Sequence, residues 1–182
     1  MKKSTSFCII TTFNFSTKPT ETTTTSTSPA TTGTTTLPTI QPQTLPRYKN
    51  HLYYIHNGTR NTPIQANTKC HHYGGYLLEI NDAQEYAFVN KLLTDHPDHR
   101  QLPLGCKKQG NNWNFLTSKG RMSFQNWYIG EPHRGLVFGR FLFDCVFLSY
   151  SYGDGEWRMY DQTCSGLTDR YVCEIPANAV IG

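Results

Sequence analysis

"ANTKCHHYGGYLLEIN", residues 66–81, changes character twice, and those changes decide the fold. The segment "TPIQANTKCHHYGG", residues 62–75, reads as a helix that stops at Gly74-Gly75, because glycine closes a helix in a left-handed conformation without a Cβ clash. "YLLEI", residues 76–80, then reads as a short buried stretch. Asn81 and Asp82 follow as N-cap residues. Glu85 lies three after Asp82, which is capping-box spacing with Asp in place of the usual Ser or Thr. A second helix over "NDAQEYAFVNKLL", residues 81–93, is predicted, with Ala83, Tyr86, Ala87 and Leu93 near helical spacing and facing a core. "DHPDHRQ", residues 95–101, breaks it.

Downstream the pattern turns to strands and loops. "LPLGC", residues 102–106, is a short apolar strand, and "NNWNFLTSKGRMSFQNW", residues 111–127, sets turn residues between aromatic ones. "RFLFDCVFLSYSY", residues 140–152, is a strand extended at both ends; "GDGEW", residues 153–157, is a turn; "RYVCEI", residues 170–175, is a last strand. Upstream, "HLYYI", residues 51–55, has the aromatic and β-branched content of a strand, so Tyr53–Ile55 and Tyr171–Glu174 are candidates to pair. Helices first and strands after is an α+β order.

Before residue 47 the composition cannot build a core. Residues 16–46 are nearly all Thr, Ser and Pro, as in "TETTTTSTSPATTGTTTLPT", and cannot bury enough apolar area to offset their ordering entropy. They read as a disordered, mucin-like stalk, of the kind that carries O-linked sugars. Residues 1–15, with Lys2, Lys3 and "FCIITTFNF", form a weak or truncated signal-like segment. Nothing in the chain reads as a transmembrane segment. The domain boundaries expected are therefore 1–15, 16–46 and 47–178. Sequons at Asn14 and Asn57 agree with an extracellular, secreted chain. The net charge is +4 with scattered Lys and Arg, which gives no nucleic-acid footprint.

Six cysteines are present: Cys8, Cys70, Cys106, Cys145, Cys164 and Cys173. An extracellular setting makes disulfides the default, but their number does not choose the connectivity. Residues 50–177 resemble the C-type lectin-like domain family. Residues 66–81 look like its A-x-x-x-C-x-x-x-G-G-x-L-x-x-I-N segment, and "LPLGC" sits at its W-I-G-L core strand. "WNF" and "FQNW" match the aromatic positions before its long loop; "EPH", residues 131–133, sits at its ligand tripeptide; "DCVFL", "DQTC" and "YVCEIP" close the domain. The resemblance implies an α+β fold with two helices, small antiparallel sheets and a long loop region. It also implies disulfides Cys70–Cys173 and Cys145–Cys164, in the short form of the family. Cys106 and Cys8 are left over; Cys106 is read as a buried free thiol that packs as a small hydrophobe, with pairing to Cys8 across the stalk as the alternative.

In sugar-binding members a calcium ion is held by a carboxylate and an amide flanking a cis-proline, by a Glu before the Asp-Cys, and by an Asn-Asp pair. This chain keeps Glu131, Pro132 and, counting back from Cys164, Asp161. His133 replaces the amide, Phe143 the Glu and Tyr160 the Asn, so oxygen donors that a hard cation needs are missing. The expectation is no cofactor, or at most a weak calcium site drawing on Glu131, Asp161, Asp154 and Glu156.

The ligand-binding candidates are Glu131, Pro132, His133, Arg158, Tyr160 and Asp161, with Tyr128, Tyr150, Tyr152 and Trp157 as nearby aromatics. Core packing is the competing reading for Trp127 and Trp157. His71-His72 and the "HPDH" run offer no closed zinc set, and no nucleophile elbow or phosphate loop appears, so the chain is not read as an enzyme. The function expected is an extracellular recognition module of carbohydrate-binding type with weak or no calcium dependence. The alternatives are calcium-independent binding of a protein ligand, and a mucin-like surface or matrix component. The partner is a glycan or protein ligand on an extracellular surface.

Overall fold

The structure is a computed structural model, and it describes residues 44–96, 98, 100–133 and 143–179. All described residues belong to the unit Pro38–Gly182. The signal-like segment, Cys8, the Asn14 sequon and all of the stalk up to residue 43 lie outside the described residues, as do residues 134–142.

The elements in chain order are β1 (Arg47–Tyr48), β2 (His51–Asn61), α1 (Pro63–His72), β3 (Tyr76–Leu77), α2 (Ala83–Thr94), β4 (Leu102–Gln109), β5 (Asn112–Phe115), β6 (Cys145–Ser151), β7 (Glu156–Gln162) and β8 (Thr168–Pro176). They form two antiparallel sheets, ordered β1-β2-β8-β3 and β5-β4-β6-β7. In the first, β2 and β8 pair Tyr53 with Glu174, Tyr54 with Cys173 and Ile55 with Val172, so the two ends of the domain close on each other.

Helix α1 starts at a reciprocal capping box: Gln65 N donates to Thr62 Oγ1, and Thr62 N donates to Gln65 Oε1. It ends at Tyr73 and Gly74, the latter at φ +72°, where glycine carries no penalty. Gly75 has a different role. A Cβ there would collide with the Glu174 carbonyl, so the doubled glycine lets the chain run against β8. Gly105 does the same for β4 against the Leu77 carbonyl.

Asp82 caps α2 by accepting from Glu85 N at 2.8 Å, while Glu85 accepts from Asn81 N at 2.8 Å. The face of α2 differs from the one expected. Ala83 and Ala87 are exposed, Tyr86 is half-buried, and the buried positions are Glu85, Val89, Leu92 and Leu93. Alanine has too little area to decide which face turns inward, whereas Glu85 is drawn in by Tyr53, whose hydroxyl donates to it at 2.8 Å. Tyr86 Oη donates to the Trp157 carbonyl at 2.7 Å, and Trp157 N donates to Asn90 Oδ1 at 2.9 Å, so α2 anchors the start of β7.

Cys70–Cys173 pins α1 to β8, and Cys145–Cys164 joins the start of β6 to the chain just after β7. Cys106 is free and buried in the main core beside Leu104 and Val146, and burial pushes its thiol up to about 12. The Asn57 sequon lies on an exposed part of β2.

Glu79, Glu85 and Glu174 are buried carboxylates, the last of them on β8. Glu174 accepts from Tyr76 Oη at 3.0 Å and Glu79 N at 3.3 Å, with His51 Nδ1 at 3.4 Å. Burial first, and the Glu85 charge second, push its carboxyl up to about 8. A carboxyl raised above its unfolded value of about 4.3 makes the folded state hold the proton more tightly. Its contribution is complete at low pH and is lost as pH rises through about 8. The expected result in chelator-treated buffer is that Glu174→Gln gains stability over wild type as pH rises from 5 to 8.5, on the order of 1–3 kcal/mol. Urea midpoints at stepped pH check this; a difference that is flat or of opposite slope refutes it.

Candidate functional site

The site sits where the chain leaves the second sheet and returns to it. The segment at Trp127 runs beside β7: Tyr128 N donates to the Met159 carbonyl at 3.0 Å, and Met159 N to the Asn126 carbonyl at 2.9 Å. Glu131 N then turns back onto the Tyr128 carbonyl at 3.0 Å, with Gly130 at φ +90° and a cis Glu131-Pro132 bond. This turn lays Glu131 and His133 against Asp161 of β7.

Alternation along β7 explains why Asp161 is where it is. Trp157, Met159 and Asp161 point into the domain and are buried, while Arg158, Tyr160 and Gln162 lie between surface and interior. Asp161 is thus a carboxylate on a core-facing position, with its side chain 0 % exposed, and it requires partners. His133 supplies both: its backbone N–H donates to Asp161 Oδ2 at 3.0 Å, and its Nδ1 lies 2.6 Å from Oδ1. The same Nδ1 lies 2.9 Å from Glu131 Oε2. Glu131 is 11 % exposed and His133 54 %, so the imidazole closes the carboxylates off from one side only. The hydrogen bond to Asp161 chiefly, and the Glu131 charge with it, raise the imidazole above its ordinary range. Burial and then Asp161 raise Glu131. One nitrogen carries one proton. With that proton on Asp161, nothing among the described residues donates to the buried Glu131 Oε2.

The residues present do not fit calcium. Calcium takes about six to eight oxygens, and both Asp161 oxygens are already engaged by His133. An imidazole nitrogen stands between the carboxylates, the Phe143 ring packs 5.0 Å from the His133 ring, and the Tyr160 ring stacks on Tyr128 at 5.0 Å. Asp154 and Glu156, considered above as further oxygen donors, are instead bound by a cation. Arg158 Nη2 lies 2.7 Å from Asp154 and 3.0 Å from Glu156. The described residues with donor atoms gathered for a metal here are Glu131, His133 and Asp161 alone.

Beside this cluster lies a cleft of about 440 Å³, lined by Trp127, Tyr128, Ile129, Ser151, Asp154 and Arg158 among others. Tyr128, which lines the cleft, is backed by the Tyr160 ring stacked on it, and Arg158 also reaches the Asn126 side chain. Trp157 is fully buried, whereas Trp127 is half-buried and Tyr152 is 79 % exposed. Ile129, 92 % exposed, and Ser151 are absent from the residues read from sequence. An isolated isoleucine before a glycine in a loop was the one available signal for Ile129. A hollow of similar size, between His51, Arg47 and Pro176, lies where the chain enters and leaves the domain and has no comparable aromatic wall.

Comparison with known proteins places these features in a family. The model of the lectin C-type domain matches residues 59–175. A perlucin-like protein of Mytilus galloprovincialis is 26% identical over 107 residues, covering 57% of this chain and 68% of that protein. Among solved structures, human lithostathine matches with a TM-score of 0.63 at 23% identity, over 80% of this chain and 99% of its own. The C-type lectin domain of murine dendritic cell inhibitory receptor 2, solved in complex with an N-glycan, matches with a TM-score of 0.61 at 20% identity, over 75% of this chain and 99% of its own.

Proposed function

The chain belongs to the C-type lectin domain family, and on that premise we propose that it is an extracellular recognition module that binds a carbohydrate without calcium. The observation that carries this reading is the cleft between Trp127, Tyr128 and Arg158. A sugar ring offers an apolar C–H face and a rim of hydroxyls. Tyr128 and Trp127 supply flat apolar surface for the first. Arg158 and Asp154, held to each other at 2.7 Å, supply charged donors and acceptors for the second. Both are fixed by their neighbours before a ligand arrives, which lowers the ordering cost of binding. No helix among the described residues is long and apolar enough to cross a membrane. The Thr/Ser/Pro stretch at residues 16–46 and the Asn57 sequon support a secreted glycoprotein with a mucin-like spacer.

A glycan array probed with and without calcium tests this. Binding should persist in chelator, and Tyr128→Ala and Arg158→Ala should each weaken it about tenfold, the loss of a stacking or charged contact of about 1.4 kcal/mol. Binding that vanishes in chelator refutes the calcium-independent reading; unchanged binding in both variants refutes the cleft.

A second reading, recognition of a protein, is favoured by the exposed apolar side chains on the same face. Ile129, Tyr128 and Tyr152 are 92 %, 40 % and 79 % exposed, which suits a protein partner better than a hydroxyl-rich ligand. A silent array together with a partner whose binding is lost in Ile129→Asp would select it.

A further inference from the structure

We propose that Glu131, His133 and Asp161 form a site for a borderline divalent transition cation of the Zn²⁺ class. Their donor atoms, one imidazole nitrogen and one oxygen from each carboxylate, all lie within 4.8 Å of one another. The set is chemically selective. Two carboxylates match the charge of a dication, and the imidazole that disqualifies the cluster for calcium is a preferred ligand of zinc and its neighbours.

The spacing is close to what coordination needs. Nδ1 stands 2.6 Å from Asp161 Oδ1 and 2.9 Å from Glu131 Oε2. Ligand atoms around a tetrahedral zinc with bonds of about 2.0–2.2 Å are roughly 3.3 Å apart, so the two contacts would open by about 0.7 and 0.4 Å. The cation would take the place of the proton that now joins His133 to Asp161.

A second observation points the same way. Glu131 Oε2 and Asp161 Oδ1 share a single partner, His133 Nδ1 at 2.9 and 2.6 Å, and Glu131 Oε2 is left without a hydrogen bond among the described residues, so two carboxylate oxygens converge on one N–H where a dication could serve both. The support is also in place: the His133 backbone N–H donates to Asp161 Oδ2 at 3.0 Å, fixing the carboxylate whose other oxygen would bind the metal. His133 is 54 % exposed, which leaves an entry path and room for water or a ligand group to complete the coordination. The other group of closely spaced ligand atoms, Asp144 with Cys145 and Cys164, has its sulfurs joined in a disulfide and offers no equivalent.

The experiment uses the full chain, stripped with chelator and desalted, titrated calorimetrically with ZnCl₂ and with CaCl₂. Zn²⁺ should bind at least about tenfold more tightly than Ca²⁺. One equivalent should disappear in His133→Gln and in Glu131→Gln, and Co²⁺ should give a visible absorption band that both variants lose. Calcium binding as tightly as zinc, or variants that titrate like wild type, would overturn the proposal. Should a variant fail to fold, the wild type decides alone. In imidazole ¹H–¹⁵N spectra the first zinc equivalent should move the His133 Nδ1 signal. First-equivalent changes confined to the surface residues His71, His72 or His96 would place the metal elsewhere and overturn it equally.

Discussion

Cys70→Ala/Cys173→Ala is expected to lose about 4–5 kcal/mol of unfolding free energy, against about 3 kcal/mol for Cys145→Ala/Cys164→Ala, from the loops the two crosslinks close. Those loops span 103 and 19 residues. A longer loop removes more freedom from the unfolded chain, and the difference between the two follows from that alone in the chain-entropy account. Placement adds to it. Cys70 and Cys173 are both fully buried, and Cys173 lies on β8, between β2 and β3. With a net stability of about 5–15 kcal/mol typical of such domains, the first pair is a large share of the whole. Chemical unfolding at one protein concentration reads both variants. If the short crosslink cost more than the long one, the stabilisation would have to come from local order around β6 and β7 and not from chain closure.

His133→Asn/Phe143→Glu/Tyr160→Asn is expected to create calcium binding that the wild type lacks. The three changes return an amide, a carboxylate and a second amide beside Glu131 and Asp161, and they remove the imidazole that now occupies Asp161 Oδ1, leaving only the backbone N–H of residue 133 on Oδ2. A wild-type site with a Kd near 10⁻³ M would add only about 0.4 kcal/mol at millimolar calcium. A variant saturated at about 100 Kd gains about 2.7 kcal/mol, a rise on the order of 10 °C in the melting midpoint. Melts with and without calcium compare the two proteins. A wild type that itself rises by many degrees, with the rise lost in Glu131→Gln or Asp161→Asn, would show that oxygens from elsewhere complete the site. A folded variant with no rise would show that backbone placement, and not donor type, keeps calcium out.

Much of the architecture was legible along the chain because it rests on local chemistry. Gly74-Gly75, the Asp82 cap with Glu85, and the β-rich ends at Tyr53–Ile55 and Tyr171–Glu174 each express a backbone preference or a pairing propensity that neighbours in sequence are enough to state. The face of α2 was not legible. Periodicity scores alanine as apolar, yet Ala83 and Ala87 face outward, while Glu85 turns inward because Tyr53, 32 residues away, donates to it.

The candidate site divides in the same way. Sequence alone determined which donor types are present: a carboxylate at Glu131, another at Asp161, and nitrogen or ring carbon at His133, Phe143 and Tyr160, because composition is a local property. Only the tertiary structure decided which of the acidic groups act together. Alternation along β7 sends Asp161 into the core, where its charge must be met, and the turn after Tyr128 delivers His133 to meet it. Asp154 and Glu156 are as near to Asp161 in sequence as Glu131 is far, but they lie on the outer side of the hairpin, where Arg158 takes both. Charge neutralisation acts through space, so the partner of each carboxylate is set by the fold and not by distance along the chain.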